Sequence, residues 1–121
     1  MTSLKKNELI NLPIKITNSN IKCLEHVSLL TSIRFAKRGQ IALYLTSPSG
    51  TVTELLGYRY KDTSRRWFSR WRFTSVHFWG EKPLGKWLVQ IVLNGAGNGQ
   101  VRRMFIELFG SSNDETCKTF A

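Results

Sequence analysis

The chain has two histidines, His26 and His77, and a Ser-His-Asp site would have to be built on one of them. Nucleophilic catalysis needs a base within hydrogen-bond reach of a serine or cysteine, and a carboxylate to orient that base. Neither histidine lies in a Gly-x-Ser-x-Gly elbow or another nucleophile signature. His77 alternates with Phe73 and Trp79, so it reads as a core or interface residue satisfied by hydrogen bonds, and His26 beside Glu25 at a strand start reads the same way. No catalytic residue is expected. The acids Glu25, Glu54, Asp62, Glu81 and Glu107 are scattered, whereas a hard cation wants roughly six to eight oxygens with several carboxylates close together. Neither a metal nor another cofactor is therefore expected, and Glu81 is expected to accept bonds from turn amides. Cys23 and Cys117 fit no metal spacing; a disulfide closing a long loop and two free thiols are both compatible with them.

What the residues do offer is charge. With 18 Lys and Arg against 8 Asp and Glu, the formal net charge of +10 favours anionic neighbours such as nucleic acid, heparin-like glycans, acidic lipid heads or an acidic protein face. Arg59, Lys61, Arg65, Arg66, Arg70 and Arg72 run through a stretch that also holds Trp67, Phe68 and Trp71, and Arg102 and Arg103 form a second basic pair. Cations interleaved with aromatics can hold phosphate while stacking on bases, or sit at a lipid interface. Solvated arginines over a core of Trp71 and Phe73 account for the same pattern.

These side chains must be positioned by strands. Leu12, Ile14 and Ile16 alternate with polar residues, and Pro13 puts that first strand at an edge or strand start. Residues 21–35 alternate most clearly, with Val27, Leu29, Thr31, Ile33 and Phe35 on one face and Ser28, Leu30, Ser32 and Arg34 on the other. Lys37-Arg38-Gly39 turns the chain into Gln40–Thr46, where Ile41, Leu43 and Leu45 point inward. Ser47-Pro48-Ser49-Gly50 is a turn before the short strand Val52–Leu56, and a long basic loop leads on to Arg70. The run Phe73 to Trp87 reads as strand, tight turn, strand, with Trp71, Phe73, Ser75, His77 and Trp79 on one face. Pro83 and Gly85 break it before the apolar stretch Trp87–Leu93, and Val101–Phe109 makes the last strand. Seven or eight short strands without helical periodicity predict an all-β sandwich or jelly roll. One domain is expected over 12–110, between a flexible N-terminal segment (1–11) and a flexible tail (111–121). No apolar run has the length of a signal peptide core or a membrane span.

With the strands placed, several blocks resemble one family, the P domain that follows the subtilisin-like catalytic domain in kexin and furin-type proprotein convertases. They are Leu24-Glu25-His26-Val27, Lys37-Arg38-Gly39-Gln40-Ile41, Leu45-Thr46-Ser47-Pro48-Ser49-Gly50-Thr51, and the spaced set Trp71, Phe73, His77, Trp79, Glu81, Pro83, Gly85 and Trp87, followed by Gly99 to Gly110. The sequence departs from the family pattern at Gln40, where an Asp is usual, and at Trp67, Arg70 and Met104. The resemblance implies a jelly-roll β-sandwich of the galactose-binding-like kind that packs through an apolar face on a subtilisin-like protease domain, in cis or in trans. It would support that domain's folding and its calcium and pH response, with the calcium held by the protease domain. Phe35, Tyr44, Trp67, Phe68 and Phe78 are the candidates for that face. It also implies a secretory or extracellular setting. The alternative from another class is an independent basic module binding polyanions through Arg59, Lys61, Arg65, Arg66, Arg70, Arg72, Arg102 and Arg103.

Overall fold

The computed structural model describes residues 2–4, 9–35, 37–59, 61–63, 68–93 and 99–111. Eight strands carry them: β1 (Thr2–Leu4), β2 (Leu9–Ile16), β3 (Cys23–Arg34), β4 (Ile41–Thr46), β5 (Val52–Leu56), β6 (Phe68–Ser75), β7 (Gly85–Leu93) and β8 (Gly99–Ser111). A 3-10 turn, Arg38–Gln40, precedes β4. The strands form two four-stranded antiparallel sheets, ordered β1-β8-β3-β6 and β2-β7-β4-β5, and the core lies between them. This is the expected all-β sandwich.

The core follows from alternation. Val27, Leu29 and Ile33 of β3 point inward, as do Ile41, Leu43 and Leu45 of β4 and Trp87, Val89 and Ile91 of β7, and all are 0% exposed. Each such side chain contributes about 1.5–3 kcal/mol by leaving water. β3, β8, β4 and β7 are each paired on both sides, and β1, β6, β2 and β5 are the sheet edges. Pro13 sits on β2, which pairs only with β7, so its missing amide faces an edge as expected.

The structure differs from the sequence-based expectation in three places. Residues 1–11 contain β1, paired with Gly99–Val101, and the start of β2, paired with β7 from Leu9 onward. Polar composition hid β1 and the first residues of β2, because an edge strand needs only one apolar face. At the other end, β8 extends to Ser111 opposite Cys23.

The second difference is in the run Phe73 to Trp87, which is not a paired hairpin. β6 ends at Ser75 in one sheet and β7 starts at Gly85 in the other, so residues 76–84 carry the chain across the sandwich. Third, the alternation also stops at Ser75. A turn closed by Trp79 N to Val76 O (3.3 Å) and Glu81 N to Phe78 O (3.1 Å) sends Phe78 into the core and leaves His77 exposed. Phe78 meets Trp87 edge to face at 5.2 Å, and the indole Nε1 donates to the Pro83 carbonyl at 2.9 Å. The crossing is therefore fastened by its own aromatic pair. Gly85 has φ 127, and a Cβ there would come within 2.8 Å of the Pro48 ring, so the crossing lands on the Ser47–Gly50 turn.

Candidate docking surface

The basic stretch is organised first by backbone. Gly39 donates its amide to Asp62 O and accepts from Arg59 N, each at 2.9 Å, which staples the 3-10 turn to the 59–62 loop. A Cβ on Gly39 would collide with the Arg59 carbonyl oxygen, so the staple requires glycine. Over it lies an ion and aromatic cluster. Asp62 pairs with Arg38 at 3.2 Å and with Arg59 at 3.1 Å, and both guanidinium carbons stand over the Phe68 ring, at 4.9 and 5.0 Å. Trp71 meets Phe68 edge to face at 4.4 Å and also faces Arg38. Cation–π contact adds about 0.5–2 kcal/mol per pair as desolvation increases. Arg59 is thus held by a carboxylate and a ring.

The outward face of the β8-β3-β6 sheet is different. Its rows are Arg72–Leu30–Phe105 and Thr74–Ser28–Glu107, and above them Ser32 stands opposite Arg103 with Arg70 on its other side. Two bulges meet here. The β3–β6 register slips between Thr31 and Ile33, and the β3–β8 register slips between Ser32 and Ile33. Arg70 takes the extra position on β6 at φ 54, the only positive φ outside glycine among the described residues, and its amide donates to Ser32 Oγ at 2.9 Å. A left-handed conformation costs a non-glycine residue roughly 1–2 kcal/mol. Thr31 Oγ1 in turn donates to Arg103 O at 2.6 Å. Leu30, Thr31, Ser32, Arg70, Arg103 and Phe105 line a surface cavity of about 280 Å³. Arg72 is ion-paired with Glu107 at 2.9 Å, while Arg70 and Arg103 are exposed and make no ion pair among the described residues.

The expected site residues are therefore dispersed. Phe35, Phe68 and Phe78 are buried, at 1%, 0% and 0% exposed, so they build the core and do not form a docking face. Alternation already put Phe35 on the face of Val27, Leu29 and Ile33; it could not reveal the burial of Phe68, which lies beyond the β6 bulge, or of Phe78, which lies in the crossing. Tyr44 is half-buried, with its hydroxyl near Glu54 Oε2 at 3.5 Å. Trp67, Arg65 and Arg66 lie outside the described residues. Lys61 and Arg102 are exposed. Within the motif, Phe73 is buried and Trp71 is 42% exposed, because β6 is an edge strand and its inward face opens at the rim. Trp79 is half-buried.

Leu30 and Phe105 were not singled out from sequence. The signal was present: both are large apolar residues at outward positions of otherwise well-alternating strands.

Among the described residues, neither histidine is joined to both a nucleophile and a carboxylate. His77 Nδ1 lies 2.7 Å from Thr53 Oγ1, but Thr53 is only 3% exposed, so that hydroxyl fixes the ring and meets no substrate. His26 stacks on Phe109 with centroids 4.4 Å apart. Glu81 accepts from Ser47 Oγ at 2.6 Å, tying the crossing to the 47–50 turn by a side chain where turn amides were expected. Among the described residues, no group of three or more His, Cys, Asp and Glu could hold a metal, and no helix is long and apolar enough to cross a membrane. Cys23 is buried and disulfide-bonded; Cys117 lies outside the described residues.

Comparison with known proteins gives a consistent picture. The model of the proprotein convertase P-domain matches residues 24–103, from β3 into β8. Proprotein convertase subtilisin/kexin type 6 of Homo sapiens is 37% identical over 102 residues, covering 79% of this chain and 10% of that protein. Furin-1 of Xenopus laevis is 36% identical over 102 residues, 83% of this chain and 13% of that protein. Furin-like protease 2 of Drosophila melanogaster is 43% identical over 79 residues, 65% of this chain and 5% of that protein. The chain thus spans a small part of the length of these relatives. In the crystal structure of a serine protease of Aeromonas sobria the same fold recurs, with a TM-score of 0.50 at 18% identity, over 87% of this chain and 25% of that one.

Proposed function

The chain belongs to the proprotein convertase P-domain family, and we propose from that premise that it is a non-catalytic module that packs on a subtilisin-like serine protease domain and stabilises and regulates it. The observation that carries this reading is the family match over 24–103, which takes in most of the sandwich. A module that binds only the native form of its partner stabilises that form by mass action, and an enzyme domain of low intrinsic stability gains most. The partner is reached in cis or in trans. The apolar side chains left exposed near the crossing, Val52, Val76 and Leu84, with the half-buried Tyr44, are the surface offered to it. They replace Phe35, Phe68 and Phe78, which the core occupies.

The module itself needs no cofactor on this reading, and calcium belongs to the protease side. Its setting is the secretory pathway or the cell exterior, which agrees with a disulfide-bonded Cys23, since such bonds persist in oxidising compartments. The polyanion alternative loses Arg59 and Arg72 as free cations, because both are paired with carboxylates of the domain.

The test is complementation. A convertase catalytic domain lacking its own P domain is joined to this chain and assayed for secreted, active enzyme. Recovery is expected, together with its loss in a Val76→Asp, Leu84→Asp double variant. No recovery would overturn the reading.

A further inference from the structure

We propose that Arg70 and Arg103, set on either side of Ser32 by the paired bulges, form a clamp for one carboxylate of an extended acidic peptide segment, whose neighbouring apolar side chain rests on Leu30 and Phe105. The two arginines lie on strands flanking β3, so their backbones stand about 10 Å apart, a gap that two long side chains close around a single carboxylate. Both guanidinium groups are without an ion pair among the described residues, while Arg38, Arg59 and Arg72 are paired. Bulges re-aim side chains and recur beside functional sites, and here one sits on each side of the same serine. Arg70 holds a strained φ of 54 to reach its place.

The row next to the clamp decides the class of ligand. Leu30 and Phe105 lie one strand repeat away, about 7 Å along the sheet, and Phe105 is 55% exposed. An extended peptide with an acidic residue and an apolar one two positions on presents both at that spacing. A polyanion running along the face would instead set its next charges on Leu30 and Phe105, beside an Arg72 already paired with Glu107, and then on Glu107 itself. The cavity of about 280 Å³ between the arginines and Phe105 is near the lower end of ligand-site volumes, which suits one carboxylate-bearing side chain. The site requires no protease domain, so its test is independent of complementation.

The probe is a fluorescein-labelled, end-blocked peptide, Gly-Glu-Thr-Leu-Gly, titrated with the full chain by fluorescence anisotropy. Binding is expected, weakened tenfold or more by Arg70→Gln or Arg103→Gln, several-fold by Phe105→Ser, and not by Lys61→Gln. Melting curves check that each variant is folded. Replacing the probe's glutamate with glutamine tests the same clamp on the unaltered protein, and a tenfold loss is expected there too. The proposal is overturned if the peptide does not bind, if the Arg70→Gln, Arg103→Gln double variant or the glutamine probe binds equally well, or if a heparin-derived oligosaccharide binds tightly and loses equally with Lys61→Gln and Arg103→Gln, the mark of a diffuse polyanion face.

Discussion

At Arg70 the backbone does something the side chain does not favour. Its φ of 54 lies in the left-handed region, where glycine is at ease and a residue with a Cβ is not. Comparing Arg70→Gly with Arg70→Ala cancels the loss of charge and isolates that strain. The glycine variant should be the more stable by about 1 kcal/mol, seen as a melting temperature higher by roughly 3–5 °C. Equal melting temperatures would mean that the bulge is not strained. The strain was not visible in the sequence, because Arg70 reads as one more basic residue in a basic run. Its conformation follows from a register slip against β3, a partner whose place in the sheet local sequence does not encode. Phe68 and Phe78 were misread for a related reason: an aromatic side chain near arginines or in a turn looks available until the packing around it is known.

Between elements, the staple of the 3-10 turn to the 59–62 loop is the clearest dependence. The amide and carbonyl of Gly39 both bond across it, and the Arg59 carbonyl occupies the space a Cβ would need. Gly39→Ala should therefore cost about 3 kcal/mol, read as a lower denaturation midpoint at unchanged slope. Asp62 anchors the same junction with two arginines on one carboxylate. The crossing of residues 76–84 depends in the same way on Trp87, whose indole donates to a buried turn carbonyl. Trp87→Phe keeps most of the packing but leaves the Pro83 carbonyl without its donor, a loss of about 1–3 kcal/mol by thermal melting. The residues of this crossing were legible as a unit in the sequence. Their role as a bridge between sheets was not, since the same glycines and proline would also serve a tight hairpin.

For the whole molecule, the sheet order sets where stability resides. β3 is flanked by β8 and β6 and holds the densest buried run, whereas β1 and β2 are edges. Amide hydrogen exchange should accordingly be slowest in β3 and β7 and fastest in β1 and the outer half of β2. Uniform protection across the strands would contradict this order. The formal charge of +10 acts on the same scale, and the bulges turn two of its arginines, Arg70 and Arg103, outward.

The alternation of Val27 to Ile33, of Ile41 to Leu45 and of Trp87 to Leu93 determined the all-β class, and blocks such as Leu45–Thr51 and the spaced set Trp71 to Trp87 carried the family likeness. These features depend on neighbours in the chain: side-chain period and turn chemistry are local. The sheet partner of β6, the bulges beside Ser32 and the burial of Phe68 and Phe78 were decided only by the tertiary structure. Each depends on contacts between residues distant in sequence, where hydrogen-bond register and the filling of a shared core select one arrangement among several that local preference allows equally.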